Sequence, residues 1–230
     1  MQTDTALILF DAAGTLIEPA VAVERVYQKH FSRYGWEVEE AKIRDSFHGA
    51  FASLADPDYD LADGELAERT WWAEVVGRVG SAVGIDRLHD RFEACFEELF
   101  DYYASGEAWR LFPEVLAVLS ELKSSGAKLA IVSNFDRRLH RVLAELGVAD
   151  CFDLVLTSAD VSCRKPSPAL LTAAIDYFGN STSNVCLVGD SPAADAGAAT
   201  AAGIDAFILN RPQIDLKSFE KWLKDDFFQK

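Results

Sequence analysis

The chain has 230 residues, 50% of them hydrophobic, enough for one sizeable core or a core domain with a smaller companion, and a formal net charge of −15. That charge repels phosphate backbones and anionic lipid surfaces, which excludes nucleic acid and membranes as expected partners; a small anion stays open, because local donors and a cation outweigh a diffuse field. The four cysteines (Cys95, Cys151, Cys163, Cys186) form no Cys-x-x-Cys pair, and neither a signal peptide nor a run of membrane-spanning length is visible, which predicts a soluble cytoplasmic protein with reduced thiols.

The first element is the run Leu7-Ile8-Leu9-Phe10, a short apolar stretch that reads as a buried strand and delivers Asp11 at its carboxyl end. Gly14 then lets the backbone turn away. After Leu16 the pattern becomes helical. Val21, Val23, Val26, Tyr27 and Phe31 share one helical face, and Ile43, Phe47, Phe51 and Leu54 mark a second helix. Leu66 through Val83, with Trp71-Trp72, marks a third, and Leu88 to Tyr103 a fourth. Breaks fall at Tyr34-Gly35, Asp56-Pro57-Asp58 and Gly84. No alternating pattern interrupts this block, which predicts a helical insertion over 19–105 between core segments 1–18 and 106–230.

From Pro113 the rhythm alternates. Pro113 opens a helix that Gly126 stops, Lys128 to Val132 is a strand ending in Ser133-Asn134, and Asp136 caps a helix that runs to Leu146. Asp153 to Thr157 is a strand, Ser167-Pro168 starts a helix, and Val185 to Val188 is a strand ending in Gly189-Asp190. Ser191-Pro192 opens a helix closed by Gly203, and Ala206 to Leu209 is a last strand. A final helix carries Leu216, Phe219, Trp222, Leu223 and Phe227 on one face. Such alternation implies an α/β fold, a doubly wound parallel sheet of Rossmann type with right-handed crossovers.

In such a sheet ligands sit beyond the carboxyl ends of the strands. There the sequence places Asp11, Ser133-Asn134 and Asp190, with Lys165 in the loop Cys163-Arg164-Lys165-Pro166 and Asp195 five positions after Asp190. Each alone also fits a structural role: a turn cap for Asp11, a helix cap for Ser133, a solvated loop charge for Lys165, a surface carboxylate for Asp195. Together they make carboxylates for a hard cation, polar donors and one lysine.

These segments resemble the four motifs of the haloacid dehalogenase superfamily, of the kind with a helical cap inserted after the first strand. The run Ser133-Asn134-Phe135-Asp136-Arg137-Arg138-Leu139, with Trp71-Trp72, is similar to the branch called domain-containing protein three. The resemblance implies a Mg²⁺-dependent hydrolase of a small phosphorylated metabolite. Asp11 is then the nucleophile that forms an aspartyl-phosphate. Asp11, the backbone carbonyl of Ala13, and Asp190 hold Mg²⁺, with Asp195 binding it through water or orienting Lys165. Ser133 and Lys165 hold the phosphoryl group, Asn134 belongs to the same shell, and Thr15 is expected among the substrate-binding residues.

One departure bears on the reaction. Phosphatases of the superfamily carry a second aspartate two positions after the nucleophile, where this chain has Ala13. That carboxyl protonates the leaving oxygen and later activates water, a contribution of roughly 10²–10⁴-fold. Its loss predicts slow turnover or an acid borrowed from elsewhere. It also leaves three alternatives open: C–P bond hydrolysis, for which Lys29 and Lys42 are the available cap amines; 2-haloacid dehalogenation, against which Asp190 argues; and a catalytically weak phosphometabolite-binding protein.

Overall fold

The computed structural model describes residues 5–60 and 63–227. Strand β1 (Leu7–Phe10) is followed by a short β2 (Ile17–Pro19) and by helices α1 (Val23–Arg33), α2 (Glu40–Ser53), α3 (Gly64–Ala82) and α4 (Phe92–Tyr102). Strand β3 (Trp109–Leu111) comes next, then α5 (Val115–Ser124), β4 (Lys128–Ser133), α6 (Arg138–Glu145) and β5 (Leu154–Thr157). A one-turn α7 (Ser158–Val161) precedes α8 (Ala169–Phe178), β6 (Val185–Gly189), α9 (Gly197–Ala202), β7 (Asp205–Ile208) and α10 (Leu216–Trp222).

Five of the strands form one parallel sheet in the order β5-β4-β1-β6-β7. β1 is central and wholly buried, as expected of a parallel strand covered on both faces. Its side chains alternate with the period of the pleat. Ile8 and Phe10 join the apolar cluster of Leu119, Leu139, Val142 and Phe219 from α5, α6 and α10. Leu7 and Leu9 join Leu170, Leu171, Ala174 and Ala198 from α8 and α9. Helices α1 to α4 build a third cluster of their own around Phe31, Ile43, Val79 and Phe96.

The elements read from the sequence are present, with three additions. β2 and β3 pair antiparallel where the chain leaves and re-enters the sheet domain, Ile17 facing Leu111 and Pro19 facing Trp109. Strands of three residues are too short to carry a period, so neither showed in the sequence. α7 is fixed by a local capping box: the Asp160 carboxylate accepts from the Thr157 amide (3.0 Å) and hydroxyl (2.8 Å). The helix after β6 opens with a wide π turn over Pro192–Ala196 before α9 begins. Among the described residues no helix is long and apolar enough to cross a membrane.

Candidate active site

β1, β4 and β6 end at the same sheet edge. The Asp11 amide donates to the Val188 carbonyl (2.9 Å), which extends the β1–β6 ladder by one residue and holds Asp11 at that edge. Ser133, the last residue of β4, donates its hydroxyl to Asp11 Oδ1 (3.1 Å). Lys165 Nζ donates to the same oxygen (2.7 Å) and to Asp195 Oδ1 (2.6 Å). Thr15 makes a longer contact to Asp11 Oδ2 (3.4 Å). The structure thus brings Asp11, Thr15, Ser133, Lys165 and Asp195 into one contact network, all of them buried.

Two glycines make this crowding possible. Gly14 has φ +87°, and a Cβ there would stand 2.2 Å from Asp190 Oδ2. A Cβ on Gly189 would stand 2.2 Å from Asp195 Oδ2. Any larger residue would push the carboxylates out of place.

The charges are strongly coupled. Lys165, 3% exposed, would lose its proton more readily through burial alone, but Asp11 and Asp195 reverse that and raise its pKa, so it stays cationic. Burial pushes the Asp11 carboxyl up, Lys165 pulls it back, and Asp195 adds to the rise; the net direction is upward. Asp190 stays solvent-exposed on one side, and partial desolvation by its neighbours with the charges of Asp11 and Asp195 lifts it to about 6. Asp11, Asp190 and Asp195 each bring a carboxylate oxygen within 4.8 Å of the others. A hard divalent cation relieves such repulsion, and an all-oxygen donor set suits Mg²⁺. Asp195 is the least available of the three, since Oδ1 takes Lys165 and Oδ2 takes the Ser191 amide (2.9 Å). The Ala13 carbonyl is left out of the bridge to Ile17, whose bonds use the Ala12 carbonyl and the Gly14 amide.

Asn134 contributes differently. Its amide nitrogen donates to the Lys165 carbonyl (2.9 Å), and its oxygen accepts from the Lys165 amide (2.7 Å). Both polar ends of the side chain splint the lysine loop. Lys29 and Lys42 are solvent-exposed, and Lys42 lies 3.7 Å from Glu39.

A family model described as haloacid dehalogenase-like hydrolase matches residues 5–203. The chain belongs to that family. It is 30% identical to mouse haloacid dehalogenase-like hydrolase domain-containing protein 3 over 205 residues, 88% of this chain and 81% of the relative. It is 28% identical to a phosphoglycolate phosphatase of Yersinia pseudotuberculosis over 201 residues, 85% of this chain and 77% of the relative. Among solved structures, a HAD-hydrolase of Bacillus subtilis crystallised with magnesium superposes with a TM-score of 0.71, covering 96% of this chain and 100% of its own, at 15% identity. At that identity the likeness is one of fold.

Three arrangements that shape this haloacid dehalogenase-like site were not read from the sequence. Arg211, beyond β7, donates to the Thr15 carbonyl (2.8 Å) and pairs with Glu114 (2.5 Å), clamping the loop after Asp11. Arg138 is held by Asp136 through Nε and Nη2 (2.7 Å each) and donates to the Phe100 carbonyl (2.9 Å). Arg164, the neighbour of Lys165, forms a buried ion pair with Glu68 of α3 and lies 4.0 Å over the Trp71 ring. Glu68, 0% exposed, also accepts from the Tyr59 hydroxyl (2.5 Å) and from Ser158. One signal for it existed: Glu68 shares a helical face with Trp71, Val75 and Val79, and a charge on a buried face asks for a partner. Glu68→Ala leaves Arg164 buried and unpaired, so a loss of about 3–5 kcal/mol is expected in urea unfolding. Glu68→Gln, which keeps an acceptor, should lose less. Equal stability of Glu68→Ala and wild type would show that the pair does not tie α3 to the lysine loop.

Proposed function

We propose that this haloacid dehalogenase-like hydrolase is a cytoplasmic Mg²⁺-dependent phosphohydrolase of a small phosphorylated metabolite, with residues 19–105 acting as a cap over a core made of 1–18 and 106–230. The observation that supports it best is the convergence of Lys165 Nζ and Ser133 Oγ on Asp11 Oδ1. A buried cation and a hydroxyl aimed at one carboxylate oxygen are what a transferring phosphoryl group needs around it. The likeness to a phosphoglycolate phosphatase agrees with this reading.

Asp11 attacks phosphorus, the ester P–O bond breaks, and the leaving oxygen departs with the bonding electrons and takes a proton from solvent. Water then attacks the aspartyl-phosphate, releasing inorganic phosphate and restoring the carboxylate. Lys165 and Ser133 bind the phosphoryl oxygens through both steps. Asp195 orients Lys165, Asn134 fixes the loop that carries it, and Thr15 steadies Asp11. Asp11, Asp190 and the Ala13 carbonyl would hold Mg²⁺, with Asp195 reaching it through water. When bound, the ion supplies charge neutralisation at the phosphoryl group.

Dehalogenation is less well served. A 2-haloacid carries its own carboxylate, which would add to the crowded negative charge of Asp11, Asp190 and Asp195 unless a cation is present. The C–P reading lacks its amine, because Lys29 and Lys42 face solvent.

Phosphate release from a panel of phosphorylated metabolites, beside halide release from 2-haloacids, tests the reading. EDTA should stop the phosphate signal and Mg²⁺ restore it. Asp190→Asn should raise the Mg²⁺ concentration needed for half-activity by more than the roughly 10–100-fold that loss of an outer-shell partner costs. Turnover indifferent to EDTA would remove the ion from the mechanism. Binding of phosphorylated ligands without turnover would leave a binding protein.

A further inference from the structure

Between helices α1 to α4 and the sheet edge lies a cavity of about 210 Å³ with Ala13 in its lining. Val76, Phe96 and Leu99 from the helices line it together with Trp109 of β3 and Phe135 after β4. From these observations we infer that the group attached to the phosphate is a compact apolar body, one aromatic ring or its equivalent, seated in this cavity. The inference rests on the phosphohydrolase reading and names its substrate class.

Size comes first. An apolar cavity of roughly 150 Å³ accommodates benzene. The volume here therefore takes one ring with a short substituent, or a branched chain of similar bulk.

Polarity decides the rest. Arg138 is the one charged side chain in the described lining. Its guanidinium is already spent on Asp136 and the Phe100 carbonyl, and it lies 3.6 Å over the Phe100 ring. Tyr27 and Tyr103 are the other polar residues of the wall, and burial raises both phenols, so each stays neutral. The Tyr103 hydroxyl is buried with no hydrogen-bond partner among the described residues. An ammonium on the substrate would lose its hydration in this cavity and meet no opposite charge, and a carboxylate would meet only Arg138, whose charge Asp136 already neutralises, whereas a ring has no charge to desolvate.

Position ties the cavity to the chemistry. Ala13 stands two residues after Asp11 and presents a methyl group where the superfamily's phosphatases present a carboxyl. The body in the cavity is thus the leaving group, and it leaves past an apolar wall. An aryl oxide departs as the anion and takes its proton from solvent afterwards, so it tolerates the absence of an acid at position 13.

Benzyl phosphate and ethyl phosphate separate the body from leaving-group acidity, because their alcohols are similar in acidity. In Mg²⁺, benzyl phosphate should be preferred in kcat/KM by about 100-fold or more, given that a single methylene in an apolar pocket is worth about 10–200-fold. Val76→Phe places a ring inside the cavity and should collapse that ratio at least about tenfold. Benzylphosphonate, which resists hydrolysis, should quench the fluorescence of Trp72 and Trp109 saturably. Equal rates on the two esters, or preference for ethyl phosphate, would overturn the apolar body while leaving the phosphohydrolase standing. Saturable quenching without phosphate release from either ester would sustain the body and overturn the hydrolytic reading. Absence of both would overturn the inference. Should Val76→Phe fail to fold, the wild-type ratio and the quenching titration still decide.

Discussion

Asp11→Asn should lower phosphate release by about 10⁴-fold or more, the scale seen when an enzymatic nucleophile is removed. The substitution is isosteric, and its carbonyl oxygen can still accept from Ser133 and Lys165, which reach Asp11 Oδ1 at 3.1 and 2.7 Å. Lys165 also keeps its second carboxylate, Asp195, so no buried ammonium is left without a partner. The fold should therefore persist, with an unfolding midpoint close to wild type. What vanishes is the nucleophile, because an amide oxygen attacks phosphorus far more weakly than a carboxylate oxygen. Circular dichroism beside a phosphate-release assay separates loss of chemistry from loss of structure. A rapid acid quench of the wild type during turnover should find the phosphoryl group on the peptide containing Asp11. Turnover within tenfold of wild type in a folded Asp11→Asn would remove Asp11 from the mechanism.

Ala13→Asp is expected to act in the opposite direction. Residue 13 is half-buried, lines the apolar cavity and stands two positions from Asp11. A carboxyl placed there meets both burial and the nearby carboxylates Asp11 and Asp190, each of which favours the protonated form. Those conditions suit a general acid, and the gain on an alkyl phosphate could approach 10²–10⁴-fold. On p-nitrophenyl phosphate the gain should be small, because that leaving group needs no proton. Comparing kcat for the two esters in wild type and variant reads the difference. A uniform gain, or none on either ester, would show that position 13 is not where acid catalysis was lost.

The linear order of residues already marked the candidate site. Asp11, Ser133, Lys165 and Asp190 could be placed because each follows a short apolar run or sits in a loop bounded by Pro or Gly. The central strand was legible for the same reason: Leu7 to Phe10 is apolar throughout, which a strand buried on both faces requires. The helical insertion was legible as a long stretch of 3.6-residue period. Composition and charge narrowed the partners without naming any substrate.

What the tertiary structure decided is everything that depends on contacts between distant positions. In the sequence Lys165 fits a phosphoryl-binding role and a solvated loop charge alike; the fold buries it between carboxylates 154 and 30 residues away. Asn134 reads from the sequence as a member of the phosphoryl shell, and only the fold shows that its amide also holds the backbone of Lys165. The Glu68–Arg164 pair spans 96 residues, and the Arg211 clamp on the Thr15 carbonyl spans 196. The cavity is assembled from segments as far apart as Ala13 and Arg138. Local periodicity records which face of an element is apolar, because that is a property of neighbouring residues. It carries no record of which buried charge meets which, since an ion pair is specified by the chain's path through space and costs stability unless that path brings its partner.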